Sequence, residues 1–139
     1  MRIIVADASA LLEYLLRTKP AQTLERIMRA PDSDLHVPAL CDVEVAVGLR
    51  RGIRRRAISE QRVVQAIEDY LDLPVTRHGH QGLLPRILGL RENFSAYDAT
   101  YIALTEQLGG EVLTADERLT RPARMHTSIA IAVPPIGPR

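Results

Sequence analysis

Two short, uninterrupted apolar runs each lead into an aspartate, and helix-period segments fill the chain between them. Ile3 to Ala6 runs into Asp7, and Val112 to Thr114 is followed by Asp116. Runs this short and this uniformly apolar read as strands buried on both faces, which is the habit of parallel sheets. Leu11, Leu12, Leu15 and Leu16 predict a helix from near Ser9 to before Pro20, and Leu24, Ile27 and Met28 predict another over Ala21 to Ala30. Leu35 to Val37 is expected as a second strand, with Pro38 opening the next helix and Gly52 capping it after Arg51. Helices are further expected over Ser59 to Leu71, His80 to Arg91 and Ala96 to Leu108, and a helical turn over Glu117 to Thr120. Pro74 to Thr76 and Ile129 to Val133 complete the strands.

Strands that alternate with helices imply an α/β fold: a three-layer sandwich with a central, mainly parallel sheet flanked by helices. A chain of 139 residues with 46% apolar and 25% charged residues suits one globular domain, expected over residues 1–133, with a loose tail over 134–139. Aromatic content of 4% with no Trp makes the core aliphatic and weighs against base stacking as the main binding device. Cys41 stands alone, so neither an intrachain disulfide nor a thiolate metal centre is available, and a reducing compartment is expected. The N-terminal apolar run is too short for a signal peptide or a membrane span, so the expected location is the cytoplasm. A net charge of +1 argues against a histone-like coat but permits a local basic surface around an acidic centre.

Ligands of parallel α/β sheets bind beyond the carboxyl ends of the strands. Asp7 and Asp116 follow strands and share that edge. Asp98 lies in the first turn of the helix feeding the second of these strands, and Glu44 lies near the start of the helix after Leu35 to Val37. Each has a bland alternative: Asp7 and Asp116 suit helix caps, and Asp98 could close a capping box with Ser95. Glu44 shares a helical face with Leu40 and Val47, so it is expected to point inward, and no cation stands within a turn of it to neutralise it. Carboxylates that converge repel one another, and an oxygen-rich anionic site suits Mg²⁺ or Mn²⁺. Such ions activate water and shield a phosphodiester from the carboxylates. His36, His78, His80 and His126 are not spaced for a nucleophilic triad, and the pair His78 and His80 reads as a solvated loop.

With these residues in view, the sequence resembles the PIN-domain ribonucleases, specifically the VapC-type toxins of toxin–antitoxin pairs. The resemblance rests on Ile4-Val-Ala-Asp7-Ala-Ser-Ala-Leu-Leu12, on Val37-Pro-Ala-Leu40 with Glu44-Val-Ala46, on Ser95-Ala-Tyr-Asp98-Ala-Thr-Tyr-Ile-Ala-Leu104 and on Val112-Leu-Thr-Ala-Asp116-Glu-Arg-Leu119. It implies that Asp7, Glu44, Asp98 and Asp116 form a magnesium-binding acidic quartet, with Ser9 and Thr114 as supporting hydroxyls. It further implies hydrolysis of RNA by a metal-activated water, leaving 5′-phosphate and 3′-hydroxyl ends, a cognate antitoxin, and a homodimer. A PIN-domain module serving RNA maturation or binding without a toxin role is the alternative.

Arg50, Arg51, Arg54, Arg55 and Arg56 form a basic cluster expected beside the site, where it would grip RNA phosphates or meet the antitoxin; a solvated loop is the plain alternative. A phosphoacceptor of the response-receiver kind needs a late lysine, whereas Lys19 is the only lysine. An aspartate-nucleophile phosphatase needs a second acid where Ser9 stands.

Overall fold

The computed structural model describes residues 1–135. Five strands, β1 (Arg2–Ala6), β2 (Ser33–Pro38), β3 (Val75–His78), β4 (Glu111–Leu113) and β5 (Ala130–Ile131), form one parallel sheet in the order β3-β2-β1-β4-β5. Seven α-helices connect them: α1 (Ala8–Leu15), α2 (Ala21–Met28), α3 (Leu40–Arg54), α4 (Glu60–Asp72), α5 (Leu84–Gly89), α6 (Ala96–Leu108) and α7 (Glu117–His126). Ile4, Val5 and Ala6 are consecutive and fully buried, which requires cover on both faces of the central strand β1. The expected three-layer sandwich is therefore the fold observed.

Strand order decides where a ligand fits. The chain steps outward from β1 through β2 to β3, then returns to the opposite side of β1 with β4 and steps outward again to β5. The order reverses between β1 and β4, and the connections on either side diverge to leave a crevice at the strands' carboxyl ends. Asp7 follows β1 directly, and its backbone N–H donates to Leu113 O of β4 at 2.9 Å, pinning the two strand exits together.

Helix α6 is buried on every side from Ala99 to Thr105, so it behaves as a core element and not as a surface helix. Its two buried threonine hydroxyls are satisfied within the helix, Thr100 by Ala96 O and Thr105 by Tyr101 O, both at 2.7 Å. Ser95 caps it by accepting from the Asp98 N–H at 3.1 Å, and Gly109 closes it at φ 66°, a conformation suited to glycine.

Several boundaries differ from the sequence reading. Helix α1 ends at Leu15, well before Pro20, because Arg17 adopts φ 56° and the Thr18 N–H closes back on Glu13 O at 3.2 Å. Pro38 ends β2 and does not open a helix; the Ala39 N–H then donates to His78 O of β3 at 2.8 Å. Gly52 lies inside α3, whose last turns extend to Arg54, because a Cβ there would stand 2.3 Å from Ile58 Cδ1. The basic cluster is thus largely helical. Helix α7 continues through Pro122 to His126, held by buried Leu119 and Ala123. The segment before α5 is a short 3₁₀ turn, Gln81–Leu83, and β5 is shorter than expected. The expected tail falls partly on residues 136–139, which lie outside the described residues. Among the described residues no helix is long and apolar enough to cross a membrane.

Candidate active site

Asp7 is the most constrained carboxylate of the molecule. As the N-cap of α1 it accepts from the Ala10 N–H at 2.9 Å and from Ser9 Oγ at 2.6 Å through Oδ1, while Thr114 Oγ1 donates to Oδ2. Each hydroxyl is itself held from behind: Ser9 Oγ accepts from the Ala115 N–H and Thr114 Oγ1 from the Asp116 N–H, both at 3.0 Å. With both hydroxyl protons committed to Asp7, the 3.2 Å approach of Ser9 Oγ to Thr114 Oγ1 is a contact between acceptors. The network ties the exits of β1 and β4 into one carboxylate-centred knot.

Burial leaves Asp7 6% exposed. Loss of hydration pushes its carboxyl up to about 6, against the pull of its three donors, and the neighbouring Asp98 charge adds to the rise. Glu44 is half-buried and raised for the same first reason; Tyr101 Oη, donating at 2.6 Å, opposes the rise and Asp98 adds to it. Asp98 is raised by burial and then by the charge of Asp116, with Ser95 and Arg118 opposing. Asp98 is therefore the electrostatic hub through which Asp7, Glu44 and Asp116 are linked. Asp116 caps α7 through the Arg118 N–H at 3.0 Å and holds the Arg118 guanidinium at 3.2 Å.

The four acids line one cleft of about 480 Å³, together with Ser9, Arg51, Tyr97 and Tyr101. Glu44 does not point into the core as its helical neighbours suggested. Cys41, Val45 and Leu49 make the buried face of α3, whereas Val47 is 50% exposed, and Glu44, Val47, Gly48 and Arg51 form the stripe that faces the cleft. A cation sits two turns along that stripe, at Arg51. Gly48 lets α1 approach, since a Cβ there would lie 2.3 Å from Leu12 Cδ1. Arg50, Arg54, Arg55 and Arg56 are exposed and do not line the cleft. Among the described residues none of the five arginines forms a salt bridge.

The histidines stand apart from the cleft lining. His78 is the last residue of β3 and not part of a loop; it meets His36 at 2.8 Å, and His36 Nε2 meets Asp34 Oδ2 at 2.7 Å, so this chain stitches the edge strand to β2. Cys41 is fully buried, and burial pushes its thiol up to about 11, which makes it inert packing. Tyr101 was missed in the sequence. Its spacing of three from Asp98 puts both on one helical face, and that spacing was the available signal.

The donor set suits a hard divalent cation: oxygen ligands, and three of the four carboxyls raised first by burial and then by one another's charge. Among the described residues no three acid, histidine or cysteine side chains are already drawn together as a ligating cluster.

Comparison with known proteins gives the chain's family and fold. The PIN domain family profile matches residues 4–125. Ribonuclease VapC9 of Mycobacterium tuberculosis is 40% identical over 129 residues, covering 93% of this chain and 98% of that protein. Ribonuclease VapC3 of the same species is 38% identical, covering 85% of each chain. In fold, the crystal structure of M. tuberculosis VapC20, a toxin that cleaves the sarcin–ricin loop, superposes with a TM-score of 0.69 at 15% identity, over 94% of this chain and 99% of that one. The chain belongs to the PIN-domain family and, within it, to the VapC ribonucleases.

Proposed function

We propose that Asp7, Glu44, Asp98 and Asp116 hold magnesium, and that this VapC-type endoribonuclease uses them to hydrolyse RNA as the toxin of a toxin–antitoxin pair. The observation that carries the reading is the buried Asp7, locked by three donors at the crevice between β1 and β4 and facing a cleft lined by three further acids. A divalent cation there supplies Lewis acidity, water activation and shielding of phosphate charge, and manganese would serve the same donors.

The chain's own residues prepare the site. Ser9 and Thr114 orient Asp7 through their hydroxyl protons while their oxygens accept from backbone N–H groups, and with water as the attacking group no covalent intermediate forms. Tyr101 holds the Glu44 carboxylate by one oxygen, and the other takes no hydrogen bond among the described residues. Arg118 steadies Asp116. Arg51 offers the cation a phosphodiester needs on approach to an acidic centre, with Arg50, Arg54, Arg55 and Arg56 extending a basic surface from the end of α3.

The same reading includes a cognate antitoxin that covers the acidic rim. It also includes a homodimer, for which exposed Val64 and Leu71 on α4 and Leu84 and Leu88 on α5 supply apolar helical surface.

The test is induction of the chain without its partner, with mapping of new RNA 5′ ends, followed by purified protein on RNA carrying the mapped site. Cleavage is expected with Mg²⁺ and is lost in EDTA. Asp7→Asn and Asp98→Asn should fall to background while circular dichroism shows an intact fold. Full activity in either variant overturns the assignment.

A further inference from the structure

Of the five aromatic side chains in the sequence, four tyrosines and one phenylalanine, all but one are buried. Tyr14, Tyr70, Tyr101 and Phe94 are at most 7% exposed, and the three buried phenols are each engaged: Tyr14 by Arg29, Tyr70 with Asp42, Tyr101 with Glu44. Tyr97 is 60% exposed and among the described residues makes no hydrogen bond through its hydroxyl. An exposed aromatic ring alone is unremarkable on a protein surface. Here the molecule's one accessible ring lines the carboxylate cleft from the first turn of α6, adjacent in sequence to Asp98, while Arg51 lines the same cleft from α3.

We propose that Tyr97 is a base-stacking platform, seating an unpaired nucleobase beside the scissile phosphate while Arg51 holds the flanking backbone. The inference rests on the ribonuclease reading above and adds a residue that contacts the substrate. A ring on the cleft wall reaches a base only if that base is out of a helical stack, so the substrate is single-stranded or looped RNA at the cut. Stacking on one ring is tolerant of base identity, so Tyr97 contributes affinity and register and leaves base choice to other contacts. Its phenol is not required by this role; its ring is.

The experiment uses a single-stranded oligoribonucleotide carrying the mapped cleavage site, with 2-aminopurine substituted on either side of the cut, and the full-length protein. Tyr97→Ala is expected to raise KM by about 5- to 150-fold, the range of one base–aromatic stack, with kcat changed little. Tyr97→Phe should restore KM. Wild type and Tyr97→Phe should quench the 2-aminopurine of one flanking position, and Tyr97→Ala should not. Annealing a complementary strand across the site should suppress cleavage by wild type. Unchanged KM and quenching in Tyr97→Ala overturn the platform. So does a Tyr97→Ala variant that cuts normally but no longer binds its antitoxin, which would make the ring a protein contact instead. Failure of wild type to cut any RNA would sink the ribonuclease reading itself, a result distinct from either.

Discussion

At the scale of single residues, the acidic centre stores an electrostatic cost whose sign can be checked. Asp7 has its carboxyl pushed from an ordinary 3.8 up to about 6 by burial, and burial likewise raises Asp98 and Glu44. Between those two values the folded protein holds a proton that the unfolded chain has released. Folding is therefore favoured at low pH; that advantage is lost as pH rises from about 4 through about 6, and no further change is due to Asp7 above that. At about 1.4 kcal/mol per pH unit, the displacement of Asp7 corresponds to about 3 kcal/mol. Chelated protein should show a higher Tm at pH 4.5 than at pH 7.5, and Asp7→Asn should flatten much of that difference. Adding Mg²⁺ at pH 7.5 should raise the wild-type Tm, because a cation that binds only the folded state stabilises it. A chelated wild type whose Tm climbs steadily towards pH 7.5, with the same slope in Asp7→Asn, would refute the account of the buried carboxylate.

At the scale of elements, close backbone approach matters as much as side-chain pattern. Gly110 leads into β4, and a Cβ there would lie 2.7 Å from the carbonyl oxygen of Ile3 in β1, a backbone atom that cannot rotate aside. Gly110→Ala should cost about 1–3 kcal/mol, the range for overpacking, and shift the thermal midpoint accordingly. Gly82→Ala, with open space around it, is the control. Equal stability of the two variants would contradict the packing described. The acids that follow apolar runs were legible in the sequence because a parallel strand's exit fixes the edge of the sheet. Asp98 was legible from its place in a helix leading into such a strand. What the sequence left hidden was set by partners distant along the chain. Glu44 was assigned to the core because Val47 shares its face, yet that face lines a cleft, and only the packing of α3 on α1 decides it. Gly52 looked like a terminator until Ile58 is seen filling the space beside it, and the helical turn expected over Glu117 to Thr120 runs on to His126 because buried Leu119 and Ala123 carry α7 onward. Sparse aromatics argued against stacking; composition could not tell that the one exposed ring stands on the cleft.

At the scale of the whole molecule, the reversal of strand order around β1 gathers residues more than a hundred positions apart. Asp7 and Asp116 meet because β1 and β4 are neighbours with a common exit, and Glu44 and Asp98 arrive on helices whose N-termini share that edge. A nearly neutral chain thus concentrates negative charge in one crevice and positive charge along its α3 wall. The central claim is that these four carboxylates act as one divalent-cation site. Its most direct test is titration of the metal-free protein with Mn²⁺, followed by electron paramagnetic resonance. Wild type should bind the ion, and Asp7→Asn and Asp98→Asn should each weaken binding by at least about tenfold, as loss of a metal-site group does. Equal affinity in wild type and both variants would contradict it.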